Sequence, residues 1–197
     1  ATLAQVQRLR REAPAGPLQE RAAHIEASLR QLSRLSEKLM QLAKAESGGL
    51  LAETPQDVLP IVTHVVDDFR RASEGRLEVS LPEKEPVLSS IDPDALAILL
   101  RNLIENALKH GAKDQPVEVS LTVDGTLRVV NAGPVVLTEV IVRLTDRFTR
   151  GNTRAGGSGL GLAIAQAIAV GSGAILRLIS PATGRVDGFE ASLWLPP

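Results

Sequence analysis

The segment LLRNLIENALKHG, Leu99 to Gly111, sets Asn102 and Asn106 one helical turn apart and follows them at once with Lys109 and His110. An asparagine amide offers one carbonyl oxygen and two N–H donors. Two such amides on one helix face can turn oxygen toward a hard cation and N–H toward a phosphate. Mg²⁺ takes few protein ligands and keeps phosphate oxygens and water around it, so a neutral amide suits a site whose negative charge comes from a nucleotide. Lys109 would add a point charge beside the phosphates. Asparagine is a poor interior helix former, because its side chain competes for backbone partners. A plainer reading bonds both amides to neighbouring backbone and leaves Lys109 and His110 on a solvated helix end.

Two other stretches could bind a ligand. GGSGLGLAIA, Gly156 to Ala165, runs glycines straight into a helix. Backbone N–H groups at a helix N-terminus, with no Cβ in the way, form a phosphate cradle. The spacing is neither a Walker loop nor a dinucleotide fingerprint, since no strand leads directly into it. A flexible loop ahead of a core helix explains the same residues. VVNAGPVV, Val129 to Val136, ends a strand in Asn131 and turns the chain at Gly133-Pro134. A side-chain acceptor at a strand end can read a ligand's amino group; a plain turn is the alternative.

These residues need a frame, and residues 50–197 supply one that reads as a mixed α/β domain. Asp57 to Ser73 reads as a helix capped by Asp57, with Ile61, Val65, Val66 and Phe69 on its apolar face. Strands are expected at 76–81, 86–91, 116–124, 126–131, 174–180 and 188–196. Asp124-Gly125 marks a hairpin. The Asn102 helix lies on DPDALAILLRNLIENALKH, with Leu99, Leu103, Asn106 and Leu108 close to one apolar face, and the second helix on SGLGLAIAQAIAV.

Residues 1–49 read as helical. A short helix, Ala1 to Glu12, is broken by APAGP, Ala13 to Pro17. A long one follows, with Leu18, Ala22, Ile25, Leu29, Leu32, Ser36, Leu39 and Ala43 at alternating four- and three-residue steps. Leu35 and Leu42 widen that stripe, and Ser47 to Gly49 stops the helix. A two-helix hairpin cannot bury so wide a stripe alone. A homodimer forming a four-helix bundle can; the other solution is a solvated helix packed on its own domain.

Composition removes several classes of function. The net charge of −1 gives no argument for nucleic acid, and 2% aromatic residues leave no platform for stacking single-stranded bases. There is no cysteine, which excludes thiol catalysis and thiolate metal sites. No apolar run is long enough to span a bilayer.

Order and spacing together carry more than any single motif. An Asn-x-x-x-Asn helix, a hairpin ending in an x-Gly turn, a stretch containing DRFTRGN, and Gly-x-Gly-Leu-Gly-Leu opening a helix resemble the catalytic region of bacterial two-component sensor histidine kinases. Asn102 to His110 is similar to that family's N box. Asn131 to Val136 stands where its first glycine box belongs, Asp146 to Asn152 resembles its F box, and Gly157 to Leu162 its second glycine box. Residues 1–49 resemble the dimerisation and phosphotransfer hairpin.

The resemblance implies an α+β chain: the hairpin at 1–49, then a Bergerat-type α/β sandwich at 50–197 that binds ATP and Mg²⁺. It implies a protein-histidine kinase whose partners are a second copy and a response-regulator receiver domain. The nucleotide site it implies comprises Asn102, Asn106, Lys109, His110, Asn131, Gly133, Arg147, Phe148, Gly157, Gly159, Leu160, Gly161 and Leu162, with Asn106 as the metal ligand. One or more of Arg143, Arg147, Arg150 and Arg154 would neutralise charge near the γ-phosphate. Gyrase-type ATPases of the wider fold place a glutamate where Asn102 stands, and Asn102 has no basic lone pair to activate water.

Three departures qualify the resemblance. None of His24, His64 and His110 stands at the family's phosphoacceptor position, so the chain is expected to be the cytoplasmic portion of a longer inner-membrane receptor and not to phosphorylate itself. Asn131 and Val135 replace the Asp and second Gly of the first glycine box. Thr145 stands where the F box has an aromatic residue. An alternative is a degenerate kinase that acts as a dimeric nucleotide-binding scaffold without turnover. The related anti-sigma-factor kinases are a third possibility, disfavoured by the long hairpin.

Overall fold

The computed structural model describes residues 2–13, 16–73, 75–147 and 158–197. Among them no helix is long and apolar enough to cross a membrane. The chain divides into two units, Ala1–Met40 and Gln41–Pro197.

The first unit is a helical hairpin of α1 (Thr2–Glu12) and α2 (Pro17–Glu46), the second helix running on into the second unit. As the sequence predicts, α1 ends before the APAGP stretch and a second helix follows it; Pro17 is the first residue of α2, where its missing N–H is no loss. Ala22 and Glu26 are buried. A buried carboxylate is costly unless paired, and Glu26 is paired. Its Oε1 accepts from Gln7 Nε2 at 3.2 Å and from Arg30 Nη2 at 2.6 Å, and Arg10 lies 3.2 Å from Oε2. Much of the expected seam lies open in the single chain: Leu18, Ile25, Leu32 and Leu39 are exposed, Leu32 at 60%.

The second unit is a two-layer α/β sandwich. Its elements after α2 are β1 (Leu51–Asp57), α3 (Leu59–Ala72), β2 (Leu77–Ser80), β3 (Leu88–Ile91), α4 (Pro93–His110), β4 (Val117–Leu121), β5 (Thr126–Asn131), the short α5 (Thr138–Ile141), α6 (Gly161–Ser172), β6 (Ile175–Ile179) and β7 (Phe189–Trp194). The main sheet runs β2-β4-β5-β7-β6, with β2 parallel to β4 and the other pairs antiparallel. Side chains alternate across it. Val117, Val119, Leu121, Leu127, Val129, Ala191 and Leu193 form a buried apolar face, against which α3, α4 and α6 pack. On the opposite face Arg128 holds the buried Glu190 with two hydrogen bonds, at 3.0 and 2.9 Å.

Three local readings change. The sequence predicts no strand at β1, which pairs with β3 with a register shift between Leu51 and Gln56. Helix α3 starts at Leu59 with Val58 at its cap position, not Asp57. Asp57 still serves that end, since its Oδ1 accepts from Leu59 N–H and from Val87 N–H, both at 3.0 Å. Leu108 is only half-buried, whereas Leu96, Leu99, Leu100, Leu103 and Ile104 fill the core.

Candidate functional site: two polar stations along one helix

Helix α4 forms where the sequence predicts it. Asp92 caps it, accepting from Ala95 N–H at 2.9 Å, and Pro93 occupies its first position. The helix packs on β4 and β5 of the sheet and beside α6.

The first station is where α4 meets the start of α6. Asn102 is 2% exposed, and its Nδ2 donates to the Ile98 carbonyl one turn back at 2.8 Å. A Cβ on Gly161, the first residue of α6, would lie 3.4 Å from Asn102 Oδ1. A Cβ there would make only ordinary van der Waals contact, so the glycine leaves the backbone bare without being required by the helix packing. Leu160, at the cap position, is fully buried and anchors the turn; no side chain caps the helix there. Leu162 is buried behind it. The first-turn amides of α6 thus form an N-terminus of the kind that binds anions. Asn106, one turn along α4 from Asn102, is half-buried.

The second station is at the other end of α4. Asn131 continues the helix-facing row of β5 and ends the strand, paired in register with Val117 and Phe189. It is 5% exposed. Its Nδ2 donates to the Ala132 carbonyl at 3.0 Å, and the same carbonyl accepts from Ala112 N–H at 2.9 Å. That bond fixes the amide: flipped, it would bring two oxygens together. The Oδ1 is therefore the atom that can accept from a ligand. Gly111 caps α4 so near to Asn131 that a Cβ there would lie 2.9 Å from the Asn131 Cβ. Gly133 adjoins the His110 carbonyl and the Asn131 amide. His110 is half-buried, and burial, helped by the Lys109 charge, lowers its pKa. Lys109 is exposed.

The structure therefore brings Asn102, Gly161 and Leu162 to one station and Asn131, Gly133 and His110 to the other, with Asn106 between them on α4. Gly159 precedes α6. Phe148, Arg150, Arg154 and Gly157 lie outside the described residues. Arg147 is described, and its guanidinium pairs with Glu46. Sequence reasoning missed two participants: Ala132, whose carbonyl orients Asn131, and Glu46. A backbone carbonyl has no sequence signal, and a glutamate closing a long helix looks like ordinary solvation.

Among the described residues no group of three His, Cys, Asp or Glu side chains could hold a metal ion. A divalent cation here would take its oxygens from a bound phosphate, from water and from an amide such as Asn106, a donor set suited to Mg²⁺.

The family model described as "Histidine kinase-, DNA gyrase B-, and HSP90-like ATPase" matches residues 91–197, which contain both stations. The chain is 33% identical over 167 residues to the sensor protein QseC of Escherichia coli K12, covering 82% of this chain and 36% of that protein. It is 32% identical over 177 residues to the histidine-protein kinase BaeS of the same organism, covering 84% and 38%. With the swarming motility sensor RssA of Serratia marcescens the identity is 35% over 202 residues, covering 98% and 43%. The chain thus spans well under half the length of these relatives. Among solved structures, the mycobacterial sensor histidine kinase MprB matches with TM-score 0.61 at 25% identity, over 72% of this chain and 95% of that one. Full-length ShkA in complex with AMPPNP shares the fold with TM-score 0.73 at 19% identity, over 98% and 42%. The chain belongs to the histidine kinase-, DNA gyrase B- and HSP90-like ATPase family, and within it to the sensor histidine kinases.

Proposed function

We propose that this chain binds Mg·ATP along α4 and donates the γ-phosphoryl group to a histidine, from which it passes to a response-regulator aspartate. The observation that carries this reading is the pair of stations on one helix. Eight residues separate Asn102 from His110, a rise of roughly 12 Å, which a nucleotide bridges from base to phosphates. Asn131 Oδ1 accepts from the amino group of the base, and the α6 amides bind phosphate. Asn106 would hold the Mg²⁺, which neutralises phosphate charge. Arg147 adds positive charge from the stretch after α5. Asn102 supports transfer over hydrolysis: it is buried and bonded to the Ile98 carbonyl, and it is no general base.

None of His24, His64 and His110 stands at the acceptor position that the resemblance implies, so the acceptor is none of them. It belongs, with a membrane anchor, to the parent receptor of which this chain is the cytoplasmic core. The exposed Leu18–Leu39 stripe is covered by a second copy in a four-helix bundle.

Calorimetric titration with ATP, with and without magnesium, tests the site. Asn106→Ala is expected to lose the magnesium-dependent part of the affinity and keep the fold by circular dichroism. A wild-type chain that binds no ATP at millimolar concentration would overturn the reading. The degenerate-scaffold alternative is favoured by Asn131 in place of aspartate. It gains ground if ATP binds but no phosphoryl group reaches a hairpin that carries the acceptor histidine.

A further inference from the structure

Glu46 is the last residue of α2. A helix C-terminus carries partial negative charge, so a carboxylate there is disfavoured unless a cation answers it. The basic residue of that turn, Lys44, lies 3.8 Å from Asp94 on α4. The cation that answers Glu46 comes from 101 residues away: its carboxylate pairs with the Arg147 guanidinium.

The position of Glu46 is set by packing. Leu42, Ala45 and Leu50 on either side of it are buried. A Cβ on Gly171 of α6 would lie 2.7 Å from Leu50 Cδ1 and 3.3 Å from the Ala45 carbonyl. The end of α2 therefore lies against the C-terminal end of α6, about 15 Å along the helix from the anion station at Gly161. The pair with Glu46 therefore holds the Arg147 guanidinium toward the end of α6 away from the anion station.

We propose that Glu46 competes with the nucleotide phosphates for Arg147, so that the last turn of α2 tunes the affinity of the site. This rests on the reading of Arg147 as a phosphate ligand. Both partners are largely solvated, Arg147 at 59% and Glu46 at 42%. Such an ion pair is worth at most a factor of about five in an equilibrium constant. A triphosphate offers more charge and more acceptor oxygens than one carboxylate, so it takes the guanidinium when it binds. Glu46 is a positioning residue in this scheme and touches no substrate.

The test is Mg·ATP titration of the whole chain at low and high salt, for wild type, Glu46→Gln, Glu46→Asp, Arg147→Ala and the Glu46→Gln/Arg147→Ala double variant. Removing the Glu46 charge should tighten Mg·ATP by about three- to fivefold at low salt. The gain should vanish at about 1 M salt, where screening acts within a few ångströms. It should also vanish in the Arg147→Ala background, while Glu46→Asp stays near wild type. If Arg147→Ala weakens binding and Glu46→Gln changes nothing, the competition is overturned and the nucleotide site stands. If Arg147→Ala leaves the affinity of a binding wild type unchanged, Arg147 is no phosphate ligand and the competition falls with that assignment. A wild type that binds no ATP overturns the function and this proposal together.

Discussion

Replacing Asn131 by aspartate, the residue the family carries there, exchanges an NH₂ group for an oxygen. The sequence alone suggests that the change should tighten ATP, because a carboxylate is the stronger acceptor. The structure argues the reverse. The Asn131 Nδ2 donates to the Ala132 carbonyl at 3.0 Å, so a carboxylate oxygen would face that carbonyl oxygen instead. The lost hydrogen bond costs about 1 kcal/mol, and a charged acceptor left without a donor at a site 5% exposed costs about 1–3 kcal/mol more. The Ala132 carbonyl keeps its Ala112 N–H, so nothing is added for orphaning it. The sum is a loss of about 2–4 kcal/mol in folding stability. Protonation is the escape, since a carboxylic acid can donate where the amide did. The folded-state pKa of the new Asp should therefore rise above its unfolded value of about 3.9. A raised folded pKa gives stability that is complete below the unfolded pKa and is lost as pH climbs through the folded one. Urea unfolding at pH 5 and pH 8 should show a larger deficit for Asn131→Asp at pH 8, and ATP should bind it more weakly there. Wild type should prefer ATP to GTP, because its fixed Oδ1 accepts from an amino group and repels a carbonyl. Undiminished stability with tighter ATP at pH 8 would refute the reasoning, by showing that the Ala132 bond does not orient Asn131.

Glu190 gives a second test of buried charge. Burial pushes its carboxyl up, but hydrogen bonds from Arg128, Ser192 and Thr183 outweigh that and bring the pKa down to about 2. A depressed folded pKa contributes stability present above pH 4.5 and lost as pH falls toward 2, worth about 2–3 kcal/mol after allowing for the partial exposure of Arg128. Arg128→Met should cost about 3–5 kcal/mol at pH 7 and flatten that acid slope in urea titrations, because it strands a buried carboxylate. Placing glutamates at Leu29 and Leu32 should split the proposed dimer, since each unpaired ion in a buried seam costs several kcal/mol. Sedimentation should find monomers that still bind ATP, whereas a wild type already monomeric at tens of micromolar would sink the bundle.

What could be read in advance was local. The helices α4 and α6 carry dense apolar patterns, and the hairpin at Asp124-Gly125 follows from a turn dipeptide whose strands pair as expected. β1 is different. Its sequence, LAETPQD, shows no alternation, contains a proline and pairs irregularly. It is a strand because Asp92 N–H donates to the Leu50 carbonyl and Asp57 grips Val87. Those bonds join distant parts of the chain and leave no local trace. The cap of α3 moved to Val58 for the same reason. The site was legible as residue types in order, but not as roles. Gly161 reads as a bare phosphate turn, and its place beside Asn102 emerges only when two helices are packed. The orientation of the Asn131 amide depends on one carbonyl, which every residue possesses.

The boundary between the two units falls at Met40/Gln41, inside a continuous helix, and not at the Gly48-Gly49 pair that ends it. The consequence concerns modularity. A recombination joint drawn at the glycines would separate Leu42 and Ala45 from the core they help to fill, and Lys44 from Asp94. Chimeras between relatives should therefore be cut near position 40, so that the second unit keeps its own last turns of α2.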